Sequence, residues 1–195
     1  MKKTILTIIL VAVILLGMSF GLKGVAAKTA QDQHIWLMQT LLPGSESFTL
    51  ETYTGDDANI RSVHKAENGY VIETVTYGYA DEITMLIGVN KDGAVTGLVV
   101  REAHETFGLG SKALTDHKFL SQFLNGNETF AIASADADAF SGATGDASTS
   151  SDDAVEVDAL TGATVTSKAI VRCVNSAIAY VTGADTSSGA TSWGG

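Results

Sequence analysis

The most regular pattern in this chain is the spacing of apolar residues near its C-terminal end. They recur at helical spacing: Val165, Ala169, Ile170, Val171, Val174, Ala177, Ile178 and Val181. This pattern predicts a long amphipathic helix. A second helical pattern runs from Thr29 to Leu42, and Pro43-Gly44 ends it. We therefore expect helices on both sides of the central part of the chain.

Between these helices, five segments are rich in Val, Ile, Thr and Tyr. They are Phe48–Tyr53, Asn59–Lys65, Tyr70–Tyr77, Glu82–Val89 and Ala94–Arg101. Short turns between them, such as Asn90–Gly93, predict an antiparallel meander. A helix at about Asp116–Leu124 and short strands at Thr129–Ala133 and Ala154–Val157 complete the pattern. We predict an α+β fold, in which a twisted antiparallel sheet packs against helices.

The N-terminal residues 4–22 contain no charged side chain. At 1.5 Å per residue the run spans about 28 Å, close to the roughly 30 Å hydrocarbon core of a bilayer. Lys2 and Lys3 precede it, which predicts that residues 1–3 stay in the cytoplasm and residues 4–26 form a transmembrane anchor. A cleaved signal peptide is the alternative, because Val25-Ala26-Ala27 has the form of a cleavage site. The run is longer than a typical signal-peptide core, which favours a retained anchor.

The remaining length suits one domain of ordinary size in a chain of 195 residues. We expect this domain at residues 27–183 on the extracytoplasmic side of the cytoplasmic membrane, followed by a flexible polar tail at residues 184–195. The net charge is −10 at pH 7. An acidic chain is a poor match for nucleic acid, because that binding depends on neutralising phosphates.

Cysteine and histidine usage excludes several classes of redox site. Cys173 is the only cysteine, and the four histidines have no spacing typical of metal ligands. One thiol cannot form an intramolecular disulfide or supply the ligands of an iron–sulfur cluster. We predict no metal site, so any redox chemistry requires a bound organic cofactor.

The segment Asp158-Ala-Leu-Thr-Gly-Ala-Thr164 directly precedes the predicted C-terminal helix. Thr164 would lie at or near the helix cap, and Gly162 and Ala163 would allow close approach to the backbone. A helix N-terminus favours phosphate, because its free N–H groups and the helix dipole both attract an anion. We interpret this segment as a phosphate-binding site that contains a threonine hydroxyl.

The same pattern, Asp-x-x-Ser/Thr-Gly-Ala-Thr, occurs twice more, ending at Thr144 and at Thr191. The uneven spacing of the three copies argues against a solenoid repeat. A polar stretch without apolar periodicity follows Thr144, and only four residues follow Thr191. Only Thr164 leads into a helix, which favours it as the functional copy.

This motif resembles the flavinylation motif of the FMN-binding subunits of Rnf and Na⁺-translocating NADH:quinone oxidoreductase complexes. In that family the last threonine of the motif carries FMN as a phosphoester. The residues that match the motif are Asp158, Thr161, Gly162, Ala163 and Thr164. The resemblance therefore implies covalent FMN on Thr164.

A second segment, Glu102–Gly110, resembles the family's His-x-Glu-Thr-Pro-Gly-Leu-Gly loop. When the two are aligned on Glu-Thr, Ala103 stands at the family's histidine and Phe107 at its proline. Both glycines of the loop are in place. The resemblance implies contacts with FMN from Glu105, Thr106, Gly108, Leu109 and Gly110.

Three residues that follow the acceptor position are further candidates for holding the phosphate. Thr166 and Ser167 offer hydroxyls in the first turn of the helix, and Lys168 offers a positive charge to the phosphodiester. We expect the Asp158 side chain to hydrogen-bond the turn of the motif. These assignments make the helix start one wall of the site and the glycine loop the other.

The resemblance extends to about residue 183 and is strongest with the G subunits of Rnf complexes. It implies a membrane-anchored electron carrier in an ion-translocating ferredoxin:NAD oxidoreductase complex, with other membrane subunits as partners and no independent turnover. It also implies a separate flavin transferase during maturation. The C subunit of the NADH:quinone reductase is an alternative, although those chains are usually longer. An anchored extracellular binding module without cofactor is another, and it would be colourless.

Overall fold

A computed structural model describes residues 31–105, 110–133 and 154–183. Within these ranges no helix combines the length and the apolar character needed to cross a membrane. The predicted anchor, the predicted tail and the motif copies at Thr144 and Thr191 lie outside the described residues. The chain divides into two compact units, Met1–Leu37 and Met38–Gly195. Helix α1 covers residues 31–41, and the sheet lies in the second unit.

The sheet has five antiparallel strands that are adjacent in chain order. They are β1 (Thr49–Glu51), β2 (Ile60–Ala66), β3 (Gly69–Tyr77), β4 (Glu82–Asn90) and β5 (Val95–Ala103). The predicted meander and the position of each strand are confirmed. The β4–β5 turn illustrates why the prediction works: Asn90 Oδ1 accepts hydrogen bonds from the N–H groups of Asp92 and Ala94. Gly93 supplies the required positive φ of 85°.

The predicted C-terminal helix is α4 (Thr164–Thr182), and it packs across one face of the sheet. Its buried apolar residues include Ala169, Ile170, Cys173, Val174 and Ala177. In the same core cluster are strand residues of one sheet face, including Val63, Ile72, Ile83, Met85 and Ile87. Each large side chain buried there contributes about 1.5–3 kcal/mol. Gly183, with φ of 73°, ends the helix. The apolar residues at helical spacing in the sequence thus correspond to the side of α4 that faces the sheet.

On the opposite face of the sheet, the backbone at the C-terminal end of α1 packs against β4 and β5. Gly88 on β4 is paired with Gly97 on β5, and both face Leu41. A Cβ atom at Gly88 would collide with the Leu41 carbonyl oxygen. Thr96 Oγ1 donates a hydrogen bond of 2.5 Å to that same oxygen. The two glycines therefore let main chain lie directly on the sheet.

A run of short helices connects the sheet to the rest of the domain. These are α2 (Gly110–Ala113), α3 (His117–Leu120) and a 3₁₀ helix at Ser121–Phe123. The prediction of one helix over Asp116–Leu124 is therefore wrong in detail. Asp116 does cap the start, accepting from the Phe119 N–H at 3.0 Å. The α-helix ends at Leu120, and the hydroxyl of the next residue, Ser121, donates to the Lys118 carbonyl at 3.0 Å. Side-chain bonds of this kind compete with regular helical hydrogen bonding.

Two further strands, β6 (Phe130–Ile132) and β7 (Val155–Val157), form a separate parallel pair. Their positions match the prediction, but the antiparallel arrangement applies only to the five-stranded sheet. The side-chain amide of Asn175 on α4 joins β6 to the helix, since it donates to and accepts from the Phe130 backbone, each at 2.9 Å. Strand β7 is followed by the turn that leads into α4.

Candidate functional site

The first helical residue of α4 is Thr164, as the motif predicts. Ala163 occupies the N-cap position and provides no side-chain hydrogen bond to the helix. Gly162 has φ of 79°, and the Ala163 N–H donates to the Leu160 carbonyl at 2.8 Å, so the chain turns sharply into the helix. This turn makes an N-terminus with no side-chain cap among the described residues.

The first intrahelical hydrogen bond runs from the Ser167 N–H to the Ala163 carbonyl, at 2.8 Å. The N–H groups of Thr164, Val165 and Thr166 precede it and have no acceptor within the helix. Free N–H groups at a helix N-terminus, together with the partial positive charge of the helix dipole, attract anions. The start of α4 is thus electrostatically suited to a phosphate.

The hydroxyl groups around this turn differ sharply in exposure. Thr161 is exposed and Thr164 is half-buried, whereas Thr166 and Ser167 are each 0% exposed. Ser167 Oγ accepts from the Leu160 N–H at 3.3 Å, and Thr166 Oγ1 donates to Glu105 Oε2 at 3.1 Å. The Thr166 and Ser167 hydroxyls are therefore engaged inside the protein.

Asp158 is held through its backbone, and the residue that holds it is Gln122. The Asp158 N–H donates to Gln122 Oε1 at 2.9 Å, and its carbonyl accepts from Gln122 Nε2 at 3.3 Å. The Asp158 residue is exposed, and its carboxylate makes no hydrogen bond to the turn within the described residues. Sequence reasoning missed Gln122, because nothing in the sequence links two residues 36 positions apart.

The structure brings the two sequence motifs together through Glu105. Besides Thr166, its carboxylate accepts from the Ala80 N–H in the β3–β4 turn, at 3.3 Å. Gly110, the first residue of α2, packs directly on Glu105 and Thr166. Thr106, Phe107, Gly108 and Leu109 lie outside the described residues. Glu105 and Gly110 thus bring the two ends of the glycine loop to the first turn of α4.

Two basic side chains follow Thr164 along α4. Lys168 and Arg172 stand four and eight positions after it, on the same side of the helix. Arg172 is bound to the sheet, because its guanidinium donates to Thr76 Oγ1 at 3.4 Å and to the Tyr77 carbonyl at 3.2 Å. Lys168 is half-buried and makes no ion pair within the described residues. Its charge is therefore available one turn below Thr164.

Cys173 lies in the core between α4 and the sheet and is 0% exposed. Burial raises the pKa of its thiol to about 12. The reactive thiolate form is therefore essentially absent at neutral pH. This thiol is therefore unsuited to thiol–disulfide exchange.

Residues 78–179 match the family model described as the FMN-binding domain. The chain belongs to this family. The match contains β4, β5 and both motifs, and it ends near the end of α4.

The chain is also similar to named subunits of ion-translocating oxidoreductase complexes. The chain is 36% identical over 111 residues to the G subunit of the Na⁺-translocating ferredoxin:NAD⁺ oxidoreductase complex of Acetobacterium woodii, covering 56% of this chain and 47% of that protein. It is 30% identical to the G subunit of the ion-translocating oxidoreductase complex of Methanosarcina acetivorans, covering 91% of each chain. The alignment thus spans about half of the first relative and nearly all of the second.

Among solved structures, the chain is similar to the C subunit of the Na⁺-translocating NADH-quinone reductase from Parabacteroides distasonis. The TM-score is 0.47 at 17% sequence identity, covering 70% of this chain and 77% of that chain.

Proposed function

We propose that this protein is the electron-carrier subunit of an Rnf-type ion-translocating ferredoxin:NAD oxidoreductase complex, with FMN bound covalently to Thr164. Membership of the FMN-binding family and the similarity to two G subunits of such complexes support this proposal. The main observation behind the proposal is the position of Thr164. It is the first residue of a 19-residue helix whose N-terminus has no side-chain cap. The neighbouring hydroxyls of Thr166 and Ser167 are buried and already hydrogen-bonded.

The start of α4 fits the phosphate group of FMN in charge and in donors. The N–H groups of Thr164, Val165 and Thr166 supply hydrogen-bond donors at the positive end of the helix. Lys168 supplies a positive charge one turn further along, on the same side of the helix. Because the hydroxyls of Thr166 and Ser167 have partners of their own, we assign phosphate binding to the backbone N–H groups and to Lys168.

Attachment would be a phosphoryl transfer catalysed by a separate flavin transferase with FAD as donor. Thr164 Oγ forms a bond to the FMN phosphorus, the bond between the two phosphates of FAD breaks, and AMP leaves. The hydroxyl proton passes to a base of the transferase, and no electrons are exchanged. Thr164 is half-buried, whereas Thr166 is 0% exposed, so of these two threonines only Thr164 has solvent-exposed surface that an enzyme could reach.

The bound flavin would supply reversible electron transfer, which the side chains of this protein cannot supply. The protein would position the cofactor and would have no turnover of its own. Residues 106–109 connect Glu105 to Gly110 beside Thr166. We therefore propose that Thr106, Gly108 and Leu109 of this loop contact the flavin ring. The partners would be the other membrane subunits of the complex.

Membrane attachment belongs to the same proposal. Residues 4–26 would form a single transmembrane anchor, and residues 27–183 would lie on the extracytoplasmic side. A flavin lost from such a domain would not readily be replaced from the cytoplasm. A covalent bond prevents that loss.

The test is expression of the full chain together with a flavin transferase, followed by denaturing electrophoresis and intact-mass measurement. Wild-type protein should show in-gel flavin fluorescence and a mass increase of one FMN less one water. Thr164→Ala should abolish both signals. Thr144→Ala and Thr191→Ala are matched controls, because they alter the same motif pattern at positions that precede no predicted helix. Fluorescence that persists in Thr164→Ala would refute the assignment.

A further inference from the structure

The motif does not explain how the Glu105 side chain is packed and hydrogen-bonded. Its carboxylate is half-buried and lies between three segments: the β3–β4 turn, the start of α2 and the first turn of α4. Its two hydrogen-bond partners are neutral donors, the Ala80 N–H and the Thr166 hydroxyl. No cation pairs with it among the described residues. Both of its oxygens are therefore used in internal contacts.

The surrounding glycines show how closely this carboxylate is packed. A Cβ atom at Gly78 would collide with Glu105 Oε1, and one at Gly110 would collide with Glu105 Oε2. Gly110 would also bring a Cβ to 2.7 Å from Thr166 Oγ1. Glycine at both positions lets the backbone pack against the carboxylate. The site is thus shaped around the Glu105 side chain.

We propose that Glu105 is a positioning residue: through Thr166 it fixes the first turn of α4, and thereby the Thr164 hydroxyl, for attachment of the flavin. A positioning residue of this kind acts through the protein, so its role requires no contact with the flavin ring. Thr166 is two positions after Thr164, so fixing its side chain fixes the backbone of the turn that carries the acceptor. The effect on flavin attachment rests on the proposed function, whereas the Glu105–Thr166 bridge does not.

Hydrogen bonds to charged groups contribute enough to make this bridge measurable. Loss of one such bond typically changes a conformational equilibrium by about tenfold or more. In Glu105→Ala and in Thr166→Val, the first turn of α4 should therefore spend less time in the conformation that presents the Thr164 hydroxyl. We expect the rate of flavin attachment to fall by about tenfold in each variant. Thr166→Val is nearly isosteric, so it removes the hydroxyl with little change in packing.

The first experiment is a double-mutant cycle in the unloaded full chain, measured by thermal unfolding in detergent. Glu105→Ala and Thr166→Val should each lower the midpoint, and the double variant should be no worse than the more damaging single variant. Strictly additive shifts would overturn the bridge. This cycle needs no flavin, so its result stands even if the wild-type chain never acquires FMN, which would refute the proposed function alone.

The second experiment measures the rate of flavin attachment by a transferase. Glu105→Gln should restore near-wild-type attachment, because its amide can accept from Ala80 and donate to the Thr166 hydroxyl. Ser62→Ala is the matched control, since Ser62 Oγ donates to a carboxylate oxygen of Glu73 at 3.2 Å, away from the site. It should attach flavin at the wild-type rate. Wild-type rates in both Glu105→Ala and Thr166→Val would overturn the positioning role.

A third measurement separates positioning from direct contact with the ring. In loaded protein, the flavin midpoint potential of Glu105→Gln should equal that of Thr166→Val and of wild type. A potential shifted only in Glu105→Gln would mean that the carboxylate acts on the flavin itself. That result would overturn the proposal.

Discussion

Cys173 gives a quantitative prediction about stability at alkaline pH. Its thiol has an ordinary pKa of 9.0, and burial raises the pKa to about 12 in the folded protein. Below pH 9 the thiol is protonated in both states, and its stabilising effect is complete. Above pH 9 the unfolded chain releases this proton while the folded protein keeps it. Stability therefore falls as pH rises from about 9 to about 12.

The size of this effect follows from the two pKa values. At pH 10, ionisation of the thiol in the unfolded state lowers the free energy of unfolding by about 1.4 kcal/mol. Other groups, including tyrosines and lysines, titrate in the same range. Comparison with Cys173→Ala isolates the thiol, because the variant keeps every other group. The variant also leaves a small cavity, which costs about 1–2 kcal/mol at every pH.

The assay is urea unfolding of the full chain in detergent, followed by circular dichroism at pH 7.5 and at pH 10. Cys173→Ala should be less stable than wild type at pH 7.5. At pH 10 the gap should narrow by about 1.4 kcal/mol, since only wild type has the thiol to ionise. A gap that is the same at both pH values would refute the reasoning. In that case the thiol would be accessible to solvent in the folded protein.

Three further predictions concern other parts of the molecule. Gly88→Ala should lower the free energy of unfolding by about 1–3 kcal/mol in urea titrations, because its Cβ would meet the carbonyl of Leu41; an unchanged midpoint would contradict this packing. Asn127→Cys, in a Cys173→Ala background, should react with a membrane-impermeant thiol reagent in intact cells (after permeabilisation of any outer membrane), and labelling only after lysis would contradict the proposed topology. Gly108→Val should leave the unloaded domain folded but shift the flavin spectrum or lower its covalent occupancy; strong destabilisation of the unloaded domain with a normal spectrum would make the loop structural.

Local pattern determined much of the fold. The helical spacing after Val165 identified α4, because that helix buries one side against a single sheet face. The five strands were found because each combines β-favouring residues with a turn at its end. The spacing of apolar residues does not predict the change from α3 to the 3₁₀ helix at Ser121, where the hydroxyl bonds back to the Lys118 carbonyl.

The candidate site also has features that local sequence predicts and features that it does not. Thr164 can be recognised as the start of a helix from the sequence alone, because the glycine turn and the apolar spacing are both local signals. The contact between Glu105 and Thr166, 61 positions apart, and the contact between Gln122 and Asp158 are visible only in the folded protein. The same holds for the burial of the Thr166 and Ser167 hydroxyls, although their sequence position resembles that of phosphate ligands. Such pairings depend on how separate segments meet in space, and residue spacing along a chain carries no record of that.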